Sequence, residues 1–281
     1  MLYLMVHKSF SGFPRYIFTA GLLLLVTPMF LFSCLGDAQK RQKADDAVFQ
    51  RAVDMYHSVD WLERKQGILE LDKLSPHNKR SKNTENKAII FLIAAASEDQ
   101  HSLIRIEAVK SLENYLHDKR SFECLKNISL NDKNNNVRWV AIDVLSHKPS
   151  IEALDVFILT FASRDYLIRE TSVKGMLSIR AEGAEKKILP YIIKALKDQA
   201  ISVKIMTRNN LYFQDVSLYA ILAESIQQDK QSLSLLASTL KAIKGYKLDS
   251  KTQDVIILLL THSDRDIRIL ALHALQNQKI K

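Results

Sequence analysis

Beyond about residue 84 the apolar positions fall into a repeated pattern. Four segments carry a β-branched residue, an arginine next to it, a small residue four positions after the first, an aliphatic residue five after it, and Leu or Met eight after it. They are Ile104-Arg105 with Ala108, Val109 and Leu112; Val137-Arg138 with Ala141, Ile142 and Leu145; Ile168-Arg169 with Ser172, Val173 and Met176; and Ile267-Arg268 with Ala271, Leu272 and Leu275. Offsets 0, 4, 5 and 8 share one face of a 3.6-residue helix, so each segment predicts an amphipathic helix with the arginine, at offset 1, beside the buried stripe. The arginines recur after 33 residues, then 31, then 99, the last close to three periods. Two weaker copies fill the gap: Val203-Lys204 with Thr207 and Leu211, and Leu233 with Ala237 and Leu240. Around Asn209-Asn210 the pattern falters, and Gln199 to Gln214 reads alternatively as a long loop with the next helix starting at Asp215.

Each of these helices, called B, follows another apolar run, A: Ile89 to Ala94, Phe122 to Ile128, Leu154 to Phe161, Ile188 to Leu196, Val216 to Leu222, and Val255 to Leu260. One helix pair cannot bury its own apolar face, so the units must stack and share a core. The expectation is an all-α protein, an α-solenoid of about seven pairs. Residues 44–75 form an N-terminal capping pair, and 84–279 form the repeats. Only 7 Gly and 5 Pro occur in 281 residues, which fits helices better than a turn-rich β fold.

The turns carry a second signal. Asp99, Asp132, Asp165 and Asp264 stand a few residues before a B-helix arginine, where a carboxylate caps free N–H groups and meets the positive helix end. With Asp in the turn and Arg early in helix B, the chain resembles the HEAT-repeat family and its short bacterial relatives. That resemblance implies that the B helices line a concave side. It also implies a structural ladder linking neighbouring repeats, built from Asp99, Arg105, Asp132, Arg138, Asp165, Arg169 and Arg268.

The first forty residues read differently. Lys8 and Arg15 precede an apolar run from Tyr16 through Phe32, with no acidic residue before Asp37, which is the layout of an export leader. The run ends in Leu31-Phe32-Ser33-Cys34, which resembles a bacterial lipobox, although Phe32 replaces the usual small residue. The resemblance implies a cleaved signal peptide over 1–33, a lipid on Cys34, a polar tether over 34–43 and the solenoid over 44–281. An uncleaved anchor is long enough to be an alternative, and a structural Cys in a plain leader is a third. Leu35 lacks the Asp associated with inner-membrane retention, which favours an outer-membrane site in a bacterial envelope. If Cys34 is lipidated, Cys124 is left without a disulfide partner and reads as a small buried hydrophobe.

Charge adds little. The formal charge is +9, and losing Lys8 and Arg15 with the leader leaves 38 basic against 31 acidic side chains, a surplus of seven. Bases and acids are interleaved, so a mild affinity for acidic partners is expected and nucleic acid is not.

Catalytic chemistry finds no foothold. No histidine is followed by Glu, so the iron-holding pairs of some HEAT-like proteins are missing, and the eight histidines show no ligand spacing on one helix. Asp132, Asn134, Asn136 and Asp143 mimic a calcium loop, but Val137 stands where glycine is required. There is no nucleophile elbow, phosphate-binding glycine loop or Cys–His pair. The expectation is therefore no enzyme, no cofactor, no metal and no small-molecule substrate. Outward offsets 2, 3 and 6 place Lys110, Trp139, Asp143, Glu170, Lys174 and His273 towards the groove. Trp139 reads equally as packing beneath the next repeat. The function expected is a membrane-tethered scaffold that binds another envelope protein. The alternative is a non-catalytic subunit of an envelope enzyme, or an enzyme whose site is shared with its partner.

Overall fold

The computed structural model describes residues 39–74, 82–276 and 278. The leader, Cys34 and the start of the tether lie outside the described residues. Within them the regular elements are helical, and fourteen α-helices form seven antiparallel pairs: α1 (39–56) with α2 (Trp61–Asp72), α3 (Lys82–Glu98) with α4 (Ser102–Leu112), α5 (Lys119–Asn131) with α6 (Asn135–His147), α7 (Leu154–Thr160) with α8 (Tyr166–Ser178), α9 (Ala184–Leu196) with α10 (Ile201–Asn210), α11 (Val216–Gln228) with α12 (Leu233–Ile243), and α13 (Ser250–Leu258) with α14 (Arg265–Leu275). None is long and apolar enough to cross a membrane.

Helix starts follow capping chemistry. Asp60, Asp118, Asn134, Asp165, Asp215, Asp249 and Asp264 are N-caps whose side chains accept backbone N–H groups of the first turn. Pairs close through small residues where backbones must approach. At Gly67 a Cβ would stand 2.6 Å from the Ala52 carbonyl oxygen, so α1 lies directly on α2, and at Gly175 it would meet the Phe157 ring at 2.5 Å, which seats α7 on α8.

The even-numbered B helices form a continuous row in which each packs on the next from α2 to α14. The A row is less even: α3 packs on α5, α5 on α7, α9 on α11 and α11 on α13, but α7 and α9 form no comparable contact, and α9 leans on α8 instead. The B helices pack more closely on one another than the A helices do, which makes theirs the inner row of a stack that curves. The core runs the length of the stack, with Ile104, Ala108, Val109 and Leu112 fully buried, as are Val137, Ala141 and Ile142.

Two expectations need correction. Gln199 to Gln214 is not a long loop, because α10 occupies Ile201–Asn210, with Val203 and Thr207 fully buried. In the sixth unit the buried set is Leu235, Thr239, Leu240 and Ile243, two residues from the expected start. Leu233 is 49% exposed at the first turn of α12, so its apolar character was misleading there.

Candidate functional site

The corrected register gives the A–B turn a fixed grammar. The residue at offset −3 is the N-cap, and the one at offset −5 accepts the N-cap's own N–H in every unit but the sixth, where the Ser232 N–H goes to Asp229 O. Asp99, Asp132 and Asp198 accept it from His101, Asn134 and Ala200 at 2.7–2.8 Å. Ser58 and Ser163 do so through Oγ for Asp60 and Asp165, both at 3.1 Å, and His262 does so through Nδ1 for Asp264 at 3.0 Å. The aspartates grouped together by sequence are thus of two kinds. Asp99 and Asp132 stand at offset −5, whereas Asp165 and Asp264 are N-caps.

This distinction governs the ladder. Each arginine at offset 1 turns its Nη1 back to carbonyls of its own turn. Arg105 donates to Asp99 O at 2.9 Å, Arg138 to Asp132 O at 2.8 Å, Arg169 to Ser163 O at 3.0 Å and Arg268 to His262 O at 2.8 Å. The other edge of the guanidinium then points along the stack to offset −5 of the following unit. Where that residue is Asp the fork closes: Arg105 holds Asp132 through Nε and Nη2 at 2.8 and 2.9 Å, and Arg169 holds Asp198 at 2.8 Å through both. Arg64, in the capping pair, reaches Asp99 at 3.3 Å. Burial alone would raise the Asp132 and Asp198 carboxyls. The arginine bonds, the N-cap N–H and the arginine charge outweigh it and hold both below the ordinary carboxylate range.

Three units depart from the pattern, the sixth because its offset 1 is the buried Leu236. Arg138 faces Ser163 instead of an aspartate and binds Asn135 Oδ1 on its own helix, while across the junction Asp165 receives a 3.4 Å contact from Asn135. In α10, offset 1 is Lys204, and the role passes to Arg208 one turn later. Arg208 is 3% exposed at offset 5, an apolar position elsewhere, where it binds Asp229 at 2.7 Å and Ser225 Oγ at 3.1 Å. Sequence reading missed Arg64, Asp198, Arg208 and Asp229. Asp198 was within reach, since it precedes Lys204 by the same six residues that separate Asp132 from Arg138.

The inner face displays offset 6 of successive B helices: Leu69, Lys110, Asp143, Lys174, Asn209, Lys241 and His273, one per unit. Lys110 pairs with Glu107 at 3.3 Å, and Lys65 of the preceding unit reaches the same carboxylate at 3.6 Å. Asp143 accepts from Lys174 across the α6–α8 junction at 3.0 Å, and His147 lies between Asp143 (3.5 Å) and Glu113 (3.0 Å). Glu107, Glu113 and Asp143 are thus paired in the first four units, whereas Lys241 and His273 have no acidic partner among the described residues. Trp139 is half-buried and donates its indole N–H to Thr171 Oγ1 at 2.8 Å, so it joins α6 to α8 more than it projects into the groove. Glu170 is half-buried and makes no side-chain bond among the described residues.

Among the described residues no group of three or more His, Cys, Asp or Glu could hold a metal ion. Two clefts of about 680 and 620 Å³ lie at the A-row edge beside α3, α5 and the α6–α7 loop, and both mix lysine or arginine with glutamate. Cys124 is half-buried 3.6 Å from Ser97 Oγ, and burial raises its thiol pKa, which disfavours the reactive thiolate.

No protein-family description and no curated protein matches this chain. Solved structures do resemble it in fold. The Escherichia coli protein YibA superposes with a TM-score of 0.58 at 17% identity, over 85% of each chain. A chain of the Pds5–Scc1 complex superposes with a TM-score of 0.50 at 14% identity, over 84% of this chain and 42% of that one. These likenesses and the fourteen helices define the class: an α-solenoid of HEAT-like helix pairs.

Proposed function

We propose that the protein is a non-enzymatic scaffold that holds another protein of a bacterial envelope along its inner face, tethered to a membrane by a lipid on Cys34. The observation that carries the binding reading is the offset-6 row. A side chain from each of seven consecutive B helices faces one side, and Lys241 and His273 in its C-terminal part have no acidic partner among the described residues. A partner that lies along such a row meets fixed side chains at regular intervals, on helices whose positions the ladder and core already set, so little ordering cost remains on this side. The surplus of positive charge favours an acidic partner surface.

The tether reading is supported by the charge and apolar layout of the first 34 residues, and the two parts are tested separately. Photo-crosslinking groups at Lys110, Lys174 and Lys241, with exposed Asn127 on α5 as the outer-face control, should capture one stoichiometric partner from the inner positions alone. Capture from Asn127 with equal yield would overturn the inner-face reading. Metabolic palmitate labelling, with Cys34→Ala as control, should label the chain only when Cys34 is present; unlabelled wild-type chain would overturn the tether.

A further inference from the structure

The two ends of the stack are finished differently. At the N-terminal end, offset 0 of α2 is Glu63, an exposed acid where later B helices place Ile104, Val137, Ile168, Val203, Leu235 and Ile267 in the core. A polar terminal face is what keeps a repeat array from adding further units. The last described pair, α13–α14, has no such substitution. Offset 5 is at most 3% exposed in the six earlier B helices (Ile68, Val109, Ile142, Val173, Arg208 and Leu240), because the following unit covers it. In α14 the same offset is Leu272, 54% exposed, with Ile269 40% exposed beside it.

The same face carries an open half of the ladder. Arg268 holds two carbonyls of its own turn through Nη1, His262 O at 2.8 Å and Ser263 O at 2.9 Å, as Arg105 and Arg169 hold theirs. The guanidinium is therefore oriented, and its Nε and Nη2 edge, which in Arg105 and Arg169 grips the next aspartate, meets no acceptor among the described residues. Gln278, two residues past the end of the last helical turn, is held by Tyr246 O and the Leu248 N–H in the α12–α13 loop, at the opposite edge of the stack from Arg268.

We infer that the C-terminal face formed by Arg268, Ile269 and Leu272 is a docking site for a helix pair of a second protein, one that brings a carboxylate in its inter-helix turn to Arg268 and an apolar helix face to Leu272. The junctions already present in the chain define this chemistry: a charge-assisted fork beside a dry apolar contact. A second copy of the chain fits it less well. Its leading pair offers Ser58 at the position of the required aspartate, and a tail-to-tail contact sets Arg268 against another Arg268 instead of an acid. The site is separate from the inner face and stands whether or not that reading holds.

The test supplies a helix pair of known sequence. A second copy of residues 119–147, whose turn carries Asp132 and which rests on Arg105 in the native chain, is appended to the full chain after Lys281 through a flexible Gly/Ser linker, so that docking is intramolecular. Amide hydrogen exchange in α14 is then compared with that of the unextended chain. Docking should slow exchange at Ile269 to Leu272 by about tenfold or more, the measure of one added junction. Arg268→Ala, or Asp→Asn in the appended turn, should return most of that protection. Leu272→Asp and Ile269→Glu, on side chains already exposed, should abolish it with the unextended fold intact by thermal melting. Unchanged exchange in the extended chain, or protection insensitive to all these substitutions, would overturn the inference. A concentration-dependent dimer of the unextended chain that Leu272→Asp disperses would overturn the assigned occupant in favour of a second copy.

Discussion

The α4–α6 and α6–α8 junctions are adjacent and use the same helical faces, yet they are held by different means. The first closes on a nearly buried Arg105–Asp132 fork. The second faces Ser163, so Arg138 stays on its own unit, and the junction relies on the Trp139–Thr171 bond and the Asp143–Lys174 pair on the inner side. The difference shows that a repeat boundary tolerates its polar crosslink at either margin of the apolar contact. Where the turn supplies it the inner face is left free, and where the inner face supplies it Asp143, Lys174 and Trp139 are already engaged.

The sharpest way to break the contrast is Arg105→Ala. It strands Asp132 in a site where the two side chains are 3% and 7% exposed, and should cost about 3–5 kcal/mol. Urea denaturation should show the loss, with Arg138→Ala costing far less. Trp139→Ala removes the main tie of the other junction and should cost about 2–3 kcal/mol, below the range for a fully buried tryptophan, while Trp139→Phe, which loses only the bond to Thr171, should cost about 1 kcal/mol.

Acid should separate the junctions next. The Asp132 and Asp198 carboxyls are depressed in the folded chain, so their contribution is complete above the unfolded value near about 3.9 and is lost as pH falls through the folded values. The urea midpoint should therefore fall steeply below about pH 4, and Asp132→Asn should flatten that fall while lowering the midpoint at neutral pH. An acid profile unchanged by Asp132→Asn would remove the fork from the account. The smallest effect is a gain: Ser163→Asp gives Arg138 the acceptor that its neighbours have and should stabilise by about 0.5–1 kcal/mol, read as a raised Tm that Arg138→Ala cancels.

Much of the fold was legible because its period is carried by chemistry as well as by hydrophobicity. Wherever an arginine follows a β-branched residue, as at Arg105, Arg138, Arg169 and Arg268, the register came out right. The sixth unit has no such marker. Leu233, Leu235 and Leu236 offer three possible starts, and only packing against α10 and α14 decides among them. Asp165 and Asp132 look alike in sequence because both precede an arginine, and the two-residue difference in spacing that makes one a cap and the other a ladder rung has meaning only once the N-cap is located. Arg208 was invisible for another reason: a charge at a core position contradicts the amphipathic pattern, and Asp229 and Ser225, which make it tolerable, come from the next helix pair. On the inner face the offset-6 row was readable from helical geometry. That Asp143 and Lys174 are already bonded to each other was not, since that bond joins two units 31 residues apart in sequence.

The break in the outer row between α7 and α9 has a mechanical consequence. Elsewhere both an A–A and a B–B contact cross the unit boundary, but at this point the outer-row contact is slight and the boundary is crossed by α8 against α10, by α9 against α8 and by the Arg169–Asp198 fork. A bend there would meet less resistance from the outer row than a bend elsewhere in the stack. The two halves, one ending at α8 and the other beginning at α9, are joined at that point by the Arg169–Asp198 fork, which thus carries a larger share of the junction than the forks elsewhere.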